Sequence, residues 1–182
     1  MIIIGITGQP SSGKDTVANY LASLGFLHVS TSDLIRQEMR EQGLPTDRPT
    51  MHDFVAERRK ERGQGYLAEL AVQKIKGDAV VSGLRNTAEI EILRNSFGDK
   101  FVLVAVEAPL ETRYRWVVGR RRDIIDLTFE QFKAEEEAEK NANEGAFQVD
   151  AIIAMADKLI LNDGTKEELL KKVDEVMKSI TG

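Results

Sequence analysis

Apolar positions along the chain follow two rhythms: short continuous runs, and longer stretches in which they recur every three to four residues. Ile2, Ile3, Ile4 and Ile6 form the first run, β-branched throughout as a strand buried on both faces requires. Gly8 ends it, and Val17, Tyr20, Leu21 and Leu24 then share one face of a helix predicted from Lys14 to about Leu24. Phe26–Ser30 reads as a second strand, and Thr31-Ser32-Asp33 as the cap of a helix from Leu34 to about Gln42. A turn-rich break covers Pro45–Thr50, and a helical pattern over Met51–Lys76 is interrupted at Gly63-Gln64-Gly65. The third strand, Ala79–Val81, leads into Ser82-Gly83-Leu84-Arg85-Asn86 and a helix carrying Ile90, Ile92 and Leu93. Phe101–Val106 is the most hydrophobic strand, followed by a helix from Pro109-Leu110 to the cluster Arg120-Arg121-Arg122-Asp123. Residues 124–145 are acidic and helical in pattern, anchored by Phe129 and Phe132. A short apolar helix ending at Ala156, a strand Lys158–Leu161, a turn at Asn162-Asp163-Gly164 and an amphipathic helix through Leu169, Val173, Val176 and Ile180 complete the chain. Five strands alternating with helices predict an α/β fold, a parallel sheet with helices on both faces.

Composition narrows the class. At 182 residues the chain reads as one domain, 1–182, with no proline- or serine-rich linker to divide it. The 42% apolar and 30% charged content is that of an ordinary soluble globular protein. No apolar run approaches the roughly 18 residues that span a bilayer, so no membrane partner is expected. Without a charged segment ahead of Ile2, the first apolar run reads as a strand rather than a signal peptide. Cysteine is absent, which removes disulfides and thiolate metal sites and points to the cytoplasm. A net charge of −5 and a pI near 5.2 make nucleic acid an unlikely partner, although a local basic cluster could still serve a phosphate. A monomer or small homo-oligomer is expected.

The candidate chemistry begins at the first strand. Gly8, four residues, Gly13 and Lys14 reproduce the spacing in which successive backbone N–H groups curl around nucleotide phosphates while a lysine reaches the β and γ groups. The helix that follows aims its positive end at the same point. Gly8, Gln9, Pro10, Ser11, Ser12, Gly13, Lys14, Asp15 and Thr16 are therefore the expected nucleotide-binding residues. The strict pattern places a hydroxyl directly after the lysine; here Asp15 stands there and the hydroxyl is Thr16, so these two are the expected magnesium ligands. Asp33 and Arg36 lie one helical turn apart on one face, and Arg85 follows a strand, at the edge where open parallel sheets bind ligands. Arg59 lies on a helix facing the expected acceptor cleft. Asp33 reads equally as a helix cap or as a base or metal ligand. His28 and His52 have no partners at metal-ligand spacing.

On these motifs the chain resembles the nucleoside-monophosphate kinase group of P-loop proteins. Gly8 to Thr16 is similar to the phosphate loop of adenylate kinases, which also lacks a hydroxyl directly after its lysine. His28-Val-Ser-Thr-Ser-Asp-Leu-Ile-Arg36 resembles the segment that holds the acceptor, with Thr31 and Asp33 in it and Arg36 on its phosphate. Gly83-Leu-Arg85 looks like the second acceptor-phosphate segment, and Val118-Gly-Arg-Arg121 like the entrance to a lid whose arginines neutralise the transferred phosphoryl. Ala156-Asp-Lys-Leu-Ile-Leu-Asn-Asp-Gly-Thr165 is similar instead to the last strand and turn of dephospho-coenzyme A kinases, in which an aspartate matched by Asp33 is the base. The whole pattern is closest to an archaeal-type group of adenylate-kinase-related proteins without an assigned substrate.

The resemblance implies a three-layer P-loop NTPase fold with a five-stranded parallel sheet, an acceptor-binding helical insertion at about 31–76 and a small helical lid at about 120–145. It implies ATP as donor, Mg2+, and catalytic roles for Lys14, Asp33, Arg120 and Arg122. Thr31, Asp33, Arg36, Arg59, Gly83 and Arg85 would bind the acceptor. The expected acceptor is a nucleoside monophosphate, with dephospho-coenzyme A as the alternative. Outside the kinases, a nucleotide-dependent switch or NTPase is the competing class. In two places the chain departs from adenylate kinases: Ser82 replaces an aspartate in the third-strand motif, and Lys133 and Lys140 are the only basic residues between Glu130 and Lys140.

Overall fold

The computed structural model of the chain describes residues 1–120, 127–141 and 148–181. Among these residues, five parallel strands form one sheet: β1 (Ile3–Thr7), β2 (Leu27–Ser30), β3 (Ala79–Ser82), β4 (Phe101–Glu107) and β5 (Lys158–Leu161), in the order β2-β3-β1-β4-β5. The predicted fold class holds. Every residue of β1 is buried, as expected of a central strand, and each fully buried isoleucine there contributes roughly 1.5–3 kcal/mol.

The two faces of β1 feed two cores. Ile4 and Ile6 pack with Val17, Ala18 and Leu21 of α1 (Lys14–Ser23) and with Leu169 and Val173 of α9 (Lys166–Thr181). Ile3 packs on the opposite face with Ala68 and Ala71 of α4 (Tyr66–Lys74), Ile90 and Leu93 of α5 (Thr87–Phe97), and Ile152 of α8 (Val149–Ala154). A third cluster, Ile35, Met39, Phe54, Tyr66 and Leu67, joins α2 (Thr31–Glu41), α3 (Arg48–Arg62) and α4. The 31–76 region thus carries a small core of its own beside the sheet. After β4 come α6 (Leu110–Arg120) and α7 (Phe129–Asn141), where Tyr114 packs edge-on against Phe129 at 5.4 Å between ring centroids. No helix among the described residues is long and apolar enough to cross a membrane.

Two element starts differ from the sequence reading. Helix α2 begins at Thr31, and its cap is Ser30, whose Oγ accepts from Asp33 N–H at 3.3 Å. The run Ser30-Thr-Ser-Asp33 offers four cap residues in a row, and because β2 runs straight into α2 the first of them takes the role. Asp33 therefore stands in the first turn of the helix, where its charge suits the dipole without capping it. Helix α3 begins inside the predicted break, at Arg48, with Asp47 accepting from Thr50 N–H at 3.1 Å. Pro49 fits that first turn because the N–H it lacks would have had no partner in the helix.

Candidate functional site

Parallel strands bring their C-terminal ends to one edge of the sheet. Ser30 pairs with Ser82, Gly5 with Val81, and Thr7 with Ala105. The loop after β1, the start of α2 after β2 and the turn after β3 are therefore side by side, at the edge where such sheets bind ligands.

On the β1 side the loop from Gly8 to Gly13 is closed by Ser12 N–H donating to the Gln9 carbonyl at 3.2 Å. Gly13 is the N-cap of α1, at φ 98°, and gives that helix no side-chain cap, so the first-turn N–H groups are left for an anion. A Cβ at Gly13 would lie 2.4 Å from Asn162 Nδ2. Asn162, buried just beyond β5, explains this closeness: its Nδ2 donates to the Ser12 carbonyl at 2.9 Å, and its backbone N–H to the Glu107 carbonyl at 2.7 Å. Lys14, half-buried, reaches back toward the Gln9 carbonyl at 3.5 Å. Ser12 Oγ is buried and has no hydrogen-bond partner among the described residues, a polar atom left over inside a cradle of N–H donors. The cradle fits a phosphate chain.

Arg113 of α6 braces this loop from outside. It is buried, donates through Nε to the Ala108 carbonyl at 3.0 Å and through one terminal nitrogen to the Pro10 carbonyl at 3.3 Å, and clasps Glu136 of α7 with both terminal nitrogens. Burial pulls its pKa down, opposed by the charge of Asp150.

On the β2 and β3 side, Thr31 Oγ1 donates to the Gly83 carbonyl at 2.9 Å. Gly83 sits at φ 82°, and a Cβ there would lie 2.4 Å from that same hydroxyl, so only glycine allows the approach. Arg36 bonds Asp33 at 3.0 Å, with Asp33 largely in solvent. Arg85 is exposed at the sheet edge. Its root is held by Glu89, which is fully buried yet accepts from Arg85 N–H at 2.8 Å and Asn86 N–H at 3.1 Å. Burial raises the pKa of Glu89, while these N–H groups and Arg59 oppose the rise by favouring the carboxylate. Ser82 Oγ lies 2.8 Å from His28 Nε2, which ties the two strand ends together.

The structure brings together Gly8 to Thr16, Thr31, Gly83 and Arg85, and places Asp33 in the first turn and Arg36 in the second turn of the adjoining α2. It does not present Arg59 as the sequence suggested. That guanidinium is nine-tenths buried and donates to Glu89 Oε1 at 3.3 Å, because α3 packs onto the same small core as α4 and turns this residue inward. Arg122 and the side chain of Arg120 lie outside the described residues, as does the Lys140 side chain. Asp15 is exposed and Thr16 half-buried. Among the described residues no group of three or more acidic or histidine side chains could hold a metal ion.

Sequence reading missed Glu89, Arg113, Gln148 and Asn162. Only Glu89 carried a visible signal, since Asn86 and Glu89 have capping-box spacing, and both halves of that box form.

Comparison with known proteins bears on the family and the fold. The AAA domain family matches residues 7–133. A UPF0200 protein of Thermococcus gammatolerans is 33% identical over 99% of this chain and 95% of its own length. A UPF0200/UPF0201 protein of Archaeoglobus fulgidus is 31% identical over 97% of this chain, which spans only 55% of that longer protein. Among solved structures, dephospho-CoA kinase from Campylobacter jejuni superposes with a TM-score of 0.61 at 14% identity, covering 98% of this chain and 96% of its own. Shikimate kinase from Acinetobacter baumannii, in complex with shikimate, superposes with a TM-score of 0.59 at 16% identity, covering 100% and 95%. The fold is that of the P-loop kinases.

Proposed function

The chain belongs to the AAA domain family and to the UPF0200 proteins, and on that premise we propose that it is an ATP-dependent kinase of a small, phosphate-bearing acceptor. The observation that carries this reading is the sharing of one sheet edge by an uncapped helix N-terminus with its lysine, on the β1 side, and an exposed arginine on a pinned turn, on the β3 side. Phosphoryl transfer asks little covalent chemistry of a protein; it asks for in-line placement and positive charge around a dispersed anion.

In this reading backbone N–H groups of the loop after β1, Pro10 having none and that of Ser12 being taken by the Gln9 carbonyl, bind the donor phosphates together with the Lys14 ammonium. Arg85 and Arg36 hold the acceptor phosphate, and their planar forks suit bidentate contacts. Arg120 and Arg122 close over the transferring group. As the new P–O bond forms to the acceptor oxygen, the bond between the γ phosphorus and the β–γ bridging oxygen breaks, and a nucleoside diphosphate leaves. Mg2+ neutralises donor phosphates when bound; the Thr16 hydroxyl, with Asp15 nearby in sequence, is the donor this chain offers it.

A nucleoside monophosphate is the first acceptor proposed. Its attacking phosphate oxygen is already anionic and needs no base, so Asp33 would serve only to orient Arg36. Dephospho-coenzyme A is the second, supported by the resemblance at residues 156–165 and by the dephospho-CoA kinase likeness. There the nucleophile is a hydroxyl, and Asp33 would take its proton. Coupled assays with ATP across the nucleoside monophosphates and dephospho-coenzyme A test the proposal: turnover on a monophosphate supports the first acceptor, turnover on dephospho-coenzyme A alone replaces it with the second, and ATP hydrolysis unaffected by every acceptor returns the chain to the NTPase class.

A further inference from the structure

The turn from Arg85 to Thr87 is held by Glu89, by Gln64, whose Oε1 accepts from Asn86 Nδ2 at 3.2 Å, and by Gln148, and these holds differ in kind. Glu89 grips Arg85 and Asn86 N–H from within α5, only a few residues along the same segment, and is itself held by Arg59 of α3. Gln148 grips it from another element. The Gln148 backbone N–H donates to the Arg85 carbonyl at 2.8 Å, and its Oε1 accepts from Thr87 N–H at 3.1 Å and from the Thr87 hydroxyl at 2.8 Å. Gln148 caps α8, which is anchored in the core by fully buried Ile152. In the first turn of α8, Asp150 accepts from Gln9 Nε2 of the β1 loop at 3.3 Å. One short helix therefore touches both the donor loop and the root of the acceptor arginine.

We infer that Gln148 is a positioning residue for the acceptor: by tying the 85–87 turn to α8, it sets where the Arg85 guanidinium stands relative to the phosphate loop. The inference rests on the kinase reading above. In-line transfer is sensitive to such placement, since a displacement of about 1 Å can cost on the order of 100-fold. The Glu89 bonds fix the turn to α5, whose Ile90 and Leu93 are buried in the core, and Gln148 adds a direct tie to α8, which also touches the phosphate loop.

The test compares wild type, Arg85→Ala, Gln148→Ala, Thr87→Val and the Gln148→Ala/Thr87→Val double variant. Each is assayed with ATP and with AMP or dephospho-coenzyme A, whichever the wild type turns over. Gln148→Ala is expected to raise the acceptor KM about 5–30-fold, the loss of one to two hydrogen bonds, with the ATP KM within about two-fold. Thr87→Val, which removes one of the same bonds, should do less, and the double variant should be no worse than Gln148→Ala alone. An unchanged acceptor KM in Gln148→Ala, beside a raised one in Arg85→Ala, overturns this inference and leaves the kinase reading standing. Equal rises in both KM values, with a lowered Tm, make Gln148 merely structural and also overturn it. An unchanged acceptor KM in Arg85→Ala removes Arg85 from the acceptor site and overturns this inference with it, and no turnover of any nucleoside monophosphate or of dephospho-coenzyme A by the wild type fails the kinase reading as well. Should Gln148→Ala not fold, Thr87→Val decides: a selective rise in acceptor KM supports the tether, and none overturns it.

Discussion

The donor and acceptor halves of the proposed site are built in different ways. The donor half is almost entirely main chain: the loop between β1 and α1 and the uncapped start of that helix, with Lys14 at its end and Asn162 and Arg113 bracing the loop. The acceptor half consists of side chains from several elements, and its arginine stands on a turn held by a fully buried carboxylate. A backbone cradle can be specified by a handful of adjacent residues. A side-chain constellation depends on the packing of everything beneath it, so the two halves should respond differently to substitution.

Lys14→Ala gives the largest expected effect. It removes the one lysine of the donor half and should lower kcat/KM by about 10²–10³-fold in a coupled ATP assay, with an unchanged circular dichroism melt because α1 keeps its core face. Glu89→Ala breaks the acceptor half from below. Removing one partner of a buried ion pair costs about 3–5 kcal/mol, a fall in Tm of roughly 6–20 °C, and below that transition the ATP affinity should be retained. An equal loss of ATP and acceptor binding would show that the halves are not separable. Arg85→Ala tests the same half from the surface: the acceptor KM should rise about 10–100-fold, as for a charged hydrogen-bond partner, with the melt and the ATP KM unchanged.

The smallest effect lies outside both halves. Bonds from Thr50 hold the exposed Asp47 carboxyl below the usual carboxylate range. A lowered folded pKa means that this cap is fully present above the ordinary value and is lost as pH falls through the folded one. Amide exchange should therefore show fraying at the start of α3 only in acid, below about pH 4, with the donor loop undisturbed.

How much of this could be read beforehand follows the same division. The strands, their parallel pairing and the phosphate loop depend on local signals, β-branched runs and glycine spacing, and all are found where the pattern puts them. Helix starts at Thr31 and Arg48 were displaced because several adjacent residues could each have served as cap, and only the path of the incoming chain chooses among them. Arg59 was misread because an arginine looks alike in sequence whether it faces solvent or a buried carboxylate. Gln148 carries no signal and Asn162 shows only as part of a turn, since their partners stand 61 and 150 residues away.

By itself, the sequence determined an α/β sheet and a glycine-spaced loop between the first strand and its helix, because hydrophobic period and glycine spacing act over a few residues and need no distant partner. Only the tertiary structure decided that Arg85 stands on a turn pinned from α5 and α8, that Arg59 serves Glu89, and that Asn162 closes the loop. Those are bonds between remote segments, and their geometry exists only once the two cores have packed.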